Sequence, residues 1–298
     1  MLRVIRGNKN SIKELSEFIG RINEFPEKNI GYLGENPLEI EDSLRDYFPE
    51  NTIEDFFVLA YEGEKLVGVL GMDNDEEKGV GEALGPFIDS DNYKEIETIL
   101  FTEIDKILPT SLKRIDMYFN KENKRCKEIS GKLKGEYLKE FYYMGLNKED
   151  FLSIGSKDVI EVGKDDYKEF IELHEEIFKE PYYSGQDIIN RLNEDRKVFI
   201  FKDENLKGYM YVEYNEEFQE GDIKFVGVRE ESRGLGIGKK LLSSGVNWLF
   251  SNKNLEVINL NTSTDNKAFY LYKSLGFNTE KILYYYKVDR KNINLLRD

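Results

Sequence analysis

The chain has 298 residues, enough for two domains of ordinary size, and its 40% hydrophobic and 13% aromatic content rules out a disordered chain. A formal charge of −15 repels nucleic acid and anionic lipid, so neither is an expected partner. One cysteine, Cys126, and one histidine exclude a disulfide framework and argue against a metal site, and the lack of a long apolar run or apolar leader points to a cytoplasmic protein that meets no membrane.

In chain order the second half repeats the first. Leu66-Val67-Gly68 matches Leu206-Lys207-Gly208 at a shift of 140 residues. Ile115 matches Ile258, Glu122-Asn123-Lys124 matches Asp265-Asn266-Lys267, and Phe141-Tyr142-Tyr143 matches Tyr284-Tyr285-Tyr286, all at 143. Matches that keep their order with a three-residue slip indicate duplication, the second copy being longer between the anchors. Each copy opens with a helical segment, 10–21 and 165–178, with Ser11 and Asp165 as N-cap candidates. Two β-rich runs joined by a turn follow, 56–61 with 66–72 and 198–202 with 208–214. After a further strand comes a helix, striped by Ile96, Ile99, Leu100 and Ile107 in one copy and by Leu242, Val246, Leu249 and Phe250 in the other. A strand (114–119 or 256–261), a second helix and final strands complete each copy. This alternation predicts an α/β or α+β fold of two tandem lobes, 1–152 and 153–298, each a mixed central sheet flanked by helices.

The copies part company at 225–242, which reads as a buried strand, a glycine-spaced turn and the start of an amphipathic helix. Gly234, Gly236 and Gly238 let the backbone approach a ligand, and a helix N-terminus fed by such a loop offers N–H groups to an anion. Arg229, Arg233, Lys239 and Lys240 outnumber Glu230 and Glu231 there, a basic spot in an acidic chain. The dinucleotide fingerprint Gly-x-Gly-x-x-Gly lacks its last interval here. A P-loop is excluded because Arg233 stands where its first glycine belongs and Lys240 where it needs Ser or Thr. The first copy has Ile88-Asp-Ser-Asp-Asn-Tyr-Lys-Glu95 at this place, without glycine.

Arg233-Gly-Leu-Gly-Ile-Gly238, together with Leu271-Tyr272-Lys-Ser-Leu-Gly-Phe277 further on, resembles the two linked signatures of the GNAT acyl-CoA N-acyltransferases. The good match runs over 158–290, the first half being a degenerate second copy. The family's usual asparagine, seven residues before the tyrosine, is replaced by Asp265, with Asn266 one place later. The resemblance implies acetyl-CoA as co-substrate. Its pyrophosphate would lie on Arg233, Gly234, Gly236, Gly238 and Lys239, with Asn266 nearby, and its pantetheine would pair with the backbone of Val226 and Val228 as an added strand. It also implies that Tyr272 donates a proton to the departing thiolate and that the Val226 amide polarises the thioester carbonyl.

The acceptor is read as a small-molecule or peptide amine, which must lose a proton before it attacks. Asp222 opens the glycine-bearing strand where several family members carry a catalytic carboxylate; Glu213 and Glu220 are alternatives from the same acidic hairpin, whose charge suits a cationic acceptor. Strict alternation over 222–228 sets Ile223, Phe225 and Gly227 on one face and Asp222, Lys224, Val226 and Val228 on the other. His174 reads as a packed residue and 180–185 as an acceptor-side lid; Cys126 reads as a buried apolar residue. With Ile129 where the second copy has Tyr272, the first lobe lacks both cradle and acid. The expectation is one active lobe per chain in a monomer or homodimer. The alternative is a non-catalytic acyl-CoA-binding regulator.

Overall fold

The computed structural model describes residues 2–31, 33–47, 53–155, 157–179, 181–253, 255–263 and 268–296. In chain order the elements are β1 (Leu2–Arg6), α1 (Ile12–Asn23), α2 (Pro37–Tyr47), β2 (Phe57–Glu62), β3 (Lys65–Asp75), β4 (Val80–Ile88), α3 (Tyr93–Asp105), β5 (Arg114–Asn120), α4 (Lys124–Lys132) and β6 (Glu136–Asn147). They continue with β7 (Val159–Glu161), α5 (Tyr167–Ile177), α6 (Gly185–Arg191), β8 (Arg196–Lys202), β9 (Leu206–Asn215), β10 (Glu220–Val228), α7 (Ile237–Asn252), β11 (Val257–Ser263), α8 (Ala268–Lys273) and β12 (Asn278–Asp289). The class is mixed α/β. No helix among the described residues is long and apolar enough to cross a membrane.

Two compact units result, residues 1–141 with 281–298 (unit 1) and 142–280 (unit 2). Unit 1 has the strand order β1-β2-β3-β4-β5-β12, antiparallel except for the parallel β4–β5 pair. Unit 2 has the order β6-β11-β10-β9-β8-β7, with β10–β11 parallel and the β7–β8, β8–β9 and β9–β10 pairs antiparallel. The division at 152/153 read from the sequence is linear, whereas these units exchange their last strands. Tyr284 and Tyr286, from the second copy, lie opposite Phe119 and Met117 of β5. Met144 and Leu146, from the first, are buried in unit 2. Both strands carry three successive aromatic residues, Phe141-Tyr142-Tyr143 and Tyr284-Tyr285-Tyr286.

Strand register preserves the duplication residue by residue. Gly68 faces Ile88 and Asp73 faces Glu82 in unit 1; Gly208 faces Val228 and Glu213 faces Asp222 in unit 2, all at the shift of 140. Gly81 pairs with Ile115 and Gly221 with Ile258, the second pair being displaced by 140 and 143. The three-residue slip is a longer helix: α7 has 16 residues and α3 has 13. Ser11 stands at the N-cap of α1, but its hydroxyl accepts from the Asn8 N–H instead of capping; α5 begins after Asp166, one residue beyond the expected Asp165.

Unit 2 is a sheet covered on both faces. Phe170 and Leu173 of α5 and Ile188 of α6 pack on Val198, Ile200 and Tyr209. On the opposite face Leu242, Val246 and Leu249 of α7 cover Met210, Val212 and Ile258. Each fully buried aliphatic side chain contributes about 1.5–3 kcal/mol, so the two layers hold β9 and β10 rigidly between them. In unit 1 the chain end is pinned by Arg290, whose guanidinium donates to Asp105 Oδ1 at 3.0 Å and to the carbonyls of Asp105, Leu108, Pro109 and Leu112. Arg290→Ala strands these carbonyls and removes one partner of the Asp105 carboxylate. It is expected to lower stability by about 2–4 kcal/mol in urea unfolding, since removing one partner of a largely buried charged network costs that much.

Candidate active site

The site in unit 2 begins with a flaw in the sheet. β10 pairs with β11 only at Gly221–Ile258 and Asp222–Asn259, and its register with β9 slips between Ile223 and Phe225. Lys224 is thus the extra residue of a β-bulge, which bends the strand and raises its twist. The bulge corrects the strict alternation read from the sequence. Ile223 packs with Val226 and Val228 on the α7 face, while Phe225 packs with Tyr209 and Tyr211 on the α5 face.

Beyond the bulge one edge of β10 is open. The Arg229 N–H donates to Lys207 O at 2.8 Å, so Arg229 and, two residues earlier, Gly227 direct their backbone groups to β9. Val226 and Val228 direct theirs to the other side, where no described residue of β11 pairs with them. The Val228 carbonyl accepts from Arg233 Nε at 3.1 Å, fixing that arginine at the end of the open edge. What remains is a row of unpaired backbone groups centred on Val226, fit to pair with an extended amide-bearing ligand.

The open edge leads to the N-terminus of α7. Gly234 and Gly236 have φ of +81° and +77°, a region that costs a residue with a Cβ about 1–2 kcal/mol. A Cβ on Gly238 would lie 3.1 Å from Leu271, so that glycine permits α8 to approach. No side chain caps α7, and its first i→i−4 bond runs from the Lys240 N–H to Gly236 O, so the N–H groups of the preceding turn point outward. Lys240 is held by Asp158 at 2.6 Å, while half-buried Lys239 makes no ion pair among the described residues. Asn266 lies outside the described residues.

Tyr272 sits on α8 in the α7-side core, 7% exposed, its ring edge-on to Phe277 at 5.9 Å. Burial pushes the phenol up to about 12, and its hydroxyl has no hydrogen-bond partner among the described residues. It is therefore a protonated donor with nothing yet to donate to. On β11, Thr262 is 5% exposed and its hydroxyl also lacks a partner. Sequence reasoning missed Thr262; its signal was parity with Ile258 and Leu260, which set it on the same face of the parted strand.

On the α5 face, Glu213 and Asp222 lie directly opposite each other. Glu213 accepts from Arg191 at 3.2 Å and from the Tyr211 hydroxyl, with Arg196 at 3.9 Å and Lys224 at 4.0 Å. It is a shared counter-ion. Asp222 is paired with Lys224 at 2.8 Å and marks the point where β10 and β11 part; Glu220 lies farther back, opposite Asn215. His174 is fully buried, its Nε2 2.8 Å from the Tyr183 carbonyl and its Nδ1 beside the Tyr209 hydroxyl. Burial lowers its pKa, and a carbonyl at Nε2 fixes the neutral tautomer with the proton there. It braces the 181–184 segment.

Unit 1 keeps the frame without the glycine turn or the tyrosine. The Asp89 N–H donates to Val67 O as Arg229 does to Lys207 O, but the loop that follows carries Asp89 and Asp91. Burial acts to raise the Asp89 pKa, and Arg21, Lys65 and Lys28 outweigh it and hold the carboxyl below the usual range. A carboxylate thus occupies the approach to α3. Ile129 is buried where Tyr272 stands in the other copy, and Cys126 is buried with its thiol pushed up by desolvation, far from any use as a nucleophile.

Comparison with known proteins bears on the fold. Residues 165–277 match the model of the acetyltransferase (GNAT) family. No curated protein matches the chain. Among solved structures, a GCN5-related N-acetyltransferase from Sphaerobacter thermophilus is similar over 97% of this chain and 96% of its own, with a TM-score of 0.77 and 14% identity. A tandem GNAT protein from the clavulanic acid biosynthesis pathway is similar over 97% and 99%, with a TM-score of 0.67 and 10% identity. An acetyltransferase described as putative, from Pyrococcus horikoshii, is similar over 97% and 89%, at 0.63 and 12%. The fold of the whole chain is that of tandem GNAT structures.

Two substitutions separate packing from chemistry in this site. Gly236→Ala is expected to cost about 1–2 kcal/mol, because φ is positive although the space is open. Tyr272→Phe is expected to cost less than about 0.5 kcal/mol, because the lost hydroxyl makes no bond. Denaturant unfolding of both variants measures the difference.

Proposed function

We propose that unit 2, whose residues 165–277 match the model of the GNAT acetyltransferase family, transfers an acetyl group from acetyl-CoA to a primary amine by direct attack in a ternary complex. The observation that carries the reading is the open edge of β10 at Val226, running from the parting of β10 and β11 to the uncapped start of α7. An extended pantetheine amide chain and a terminal pyrophosphate have the shape and charge of that path. Gly234, Gly236, Gly238 and Lys239 would hold the pyrophosphate with Arg233, and Val226 and Val228 the pantetheine. Bound there, acetyl-CoA supplies an activated acyl group as a thioester.

The protein's own groups do the rest. Asp222 takes the proton from the acceptor ammonium, directly or through water, and the freed nitrogen forms its bond to the thioester carbon. The Val226 N–H stabilises negative charge as it develops on the carbonyl oxygen. As the carbon–sulfur bond breaks, Tyr272 donates its proton to the thiolate, and the second proton shed by the attacking nitrogen restores the phenol, leaving the amide and the free thiol. The phenol of Tyr272, pushed up to about 12, stays protonated at every physiological pH, so it can serve as an acid without prior titration. The descending limb of the pH–rate profile is therefore expected only near pH 12. The retained tyrosine favours an enzyme over a binding-only regulator.

Calorimetric titration with acetyl-CoA is expected to give one site per chain, in unit 2, because Asp89 and Asp91 replace the glycine turn in unit 1. Tyr272→Phe is expected to keep acetyl-CoA affinity within about twofold and to lower kcat by about 10²-fold, measured as thiol release with a panel of amines. Binding without turnover on any amine would favour the regulator. No binding would remove the reading.

A further inference from the structure

The hairpin that forms the acceptor face of unit 2 is acidic, but cations gather at its centre. Two carboxylates, Glu213 and Asp222, meet three cations there, Arg191, Arg196 and Lys224. Among these five groups one positive charge is in excess. The arginines are also under-used. Arg196 comes no nearer to Glu213 than 3.9 Å, and its guanidinium donates no hydrogen bond among the described residues. The Nε atoms of Arg191 and Arg196 are both buried without a hydrogen-bond partner. A buried guanidinium N–H left unmade is costly, and a planar fork of such donors matches a carboxylate better than any other common group.

The neighbours give the site a direction. Arg196 faces Glu213, Glu213 faces Asp222, and Asp222 faces Asn259, so the four form one row across β8, β9, β10 and β11. The row is cationic at the Arg196 end. At the other end, beside the parting of the strands, it offers Asp222 and the Asn259 Oδ1, which is buried and has no partner. Both are acceptors for an ammonium. Above the cationic end lie Tyr183, whose ring stacks on Arg191 at 4.3 Å, and Tyr182, 69% exposed.

We propose that the acceptor is an amino acid or similar zwitterion, its carboxylate bound by Arg191 and Arg196 and its amine presented at Asp222 and Asn259. This rests on the acyl-transfer reading of unit 2 and narrows the substrate class. It also reconciles an acidic chain with this cluster of cations: the long-range field repels anions at large, and the paired arginines select the one carboxylate that arrives with an amine.

The test is acetyl-CoA-dependent acetylation of the standard amino acids, β-alanine and γ-aminobutyrate, each set beside its carboxamide or its decarboxylated amine. Wild type is expected to favour the carboxylate-bearing member of its best pair by more than 10-fold in kcat/KM. Arg196→Gln and Arg191→Gln are expected to bring that ratio close to one by raising KM for the acid, with Arg196→Lys recovering part of it. The melting shift produced by acetyl-CoA reports that each variant is folded. Equal use of acids and carboxamides, or a ratio untouched by both arginine variants, overturns the inference alone, as does acetylation confined to amines without a carboxylate. If acetyl-CoA itself does not bind, the acyl-transfer reading falls and this inference with it.

Discussion

The parting of β10 from β11 after Asp222 is the constraint from which the rest of unit 2 follows. Parallel neighbours normally satisfy each other's backbone groups along their length, and buried groups left unpaired are costly. Here the bulge at Lys224 turns the strand away, and the α5 and α7 layers hold both faces so that the gap does not close. The unmade hydrogen bonds are concentrated at Val226 and Val228. One of them, the Val228 carbonyl, is taken by Arg233, which places that side chain at the mouth of the helix-terminal cradle. A single irregularity thus creates the open edge, orients the arginine and shifts Phe225 to the α5 face.

The electrostatics are arranged at two scales. The chain carries −15 overall, yet both places suited to an anion are locally positive: the uncapped start of α7 with Arg233 and Lys239, and the Arg191–Arg196 pair. In a field that repels anions at a distance, affinity for a phosphate or carboxylate has to come from close, directional N–H donors. Unit 1 shows the same frame with the opposite choice, an ionised Asp89 held by three cations before α3. The cations that could have met a phosphate there are spent on a side chain.

Much of this was legible in the residues. The duplication, its two shifts and the extra length between them reappear as strand registers and as a helix longer by three residues, because cross-strand partners and glycine positions are conserved in kind between the copies. The glycine turn was legible because positive φ leaves few other choices. Three things were not. The exchange of β6 and β12 leaves no local trace, since the two strands carry similar aromatic runs. The bulge breaks a period of two at Lys224, and nothing in the composition of 222–228 announces it. The arginine pair hid in the register of the β8–β9 hairpin, where Arg196 comes to face Glu213. Counting charges along the chain gave an acidic hairpin; pairing them across strands shows that two of its carboxylates, Glu213 and Asp222, are already met by Arg191, Arg196 and Lys224.

The central claim is that the open edge of β10 and the start of α7 form one continuous ligand path, and amide hydrogen exchange with and without coenzyme A tests it most directly. Slowed exchange at Val226, Val228 and residues 236–239, with no change at 88–95 of unit 1, is the result this account predicts. Protection confined to 88–95, or exchange unaltered throughout 226–239, would contradict it.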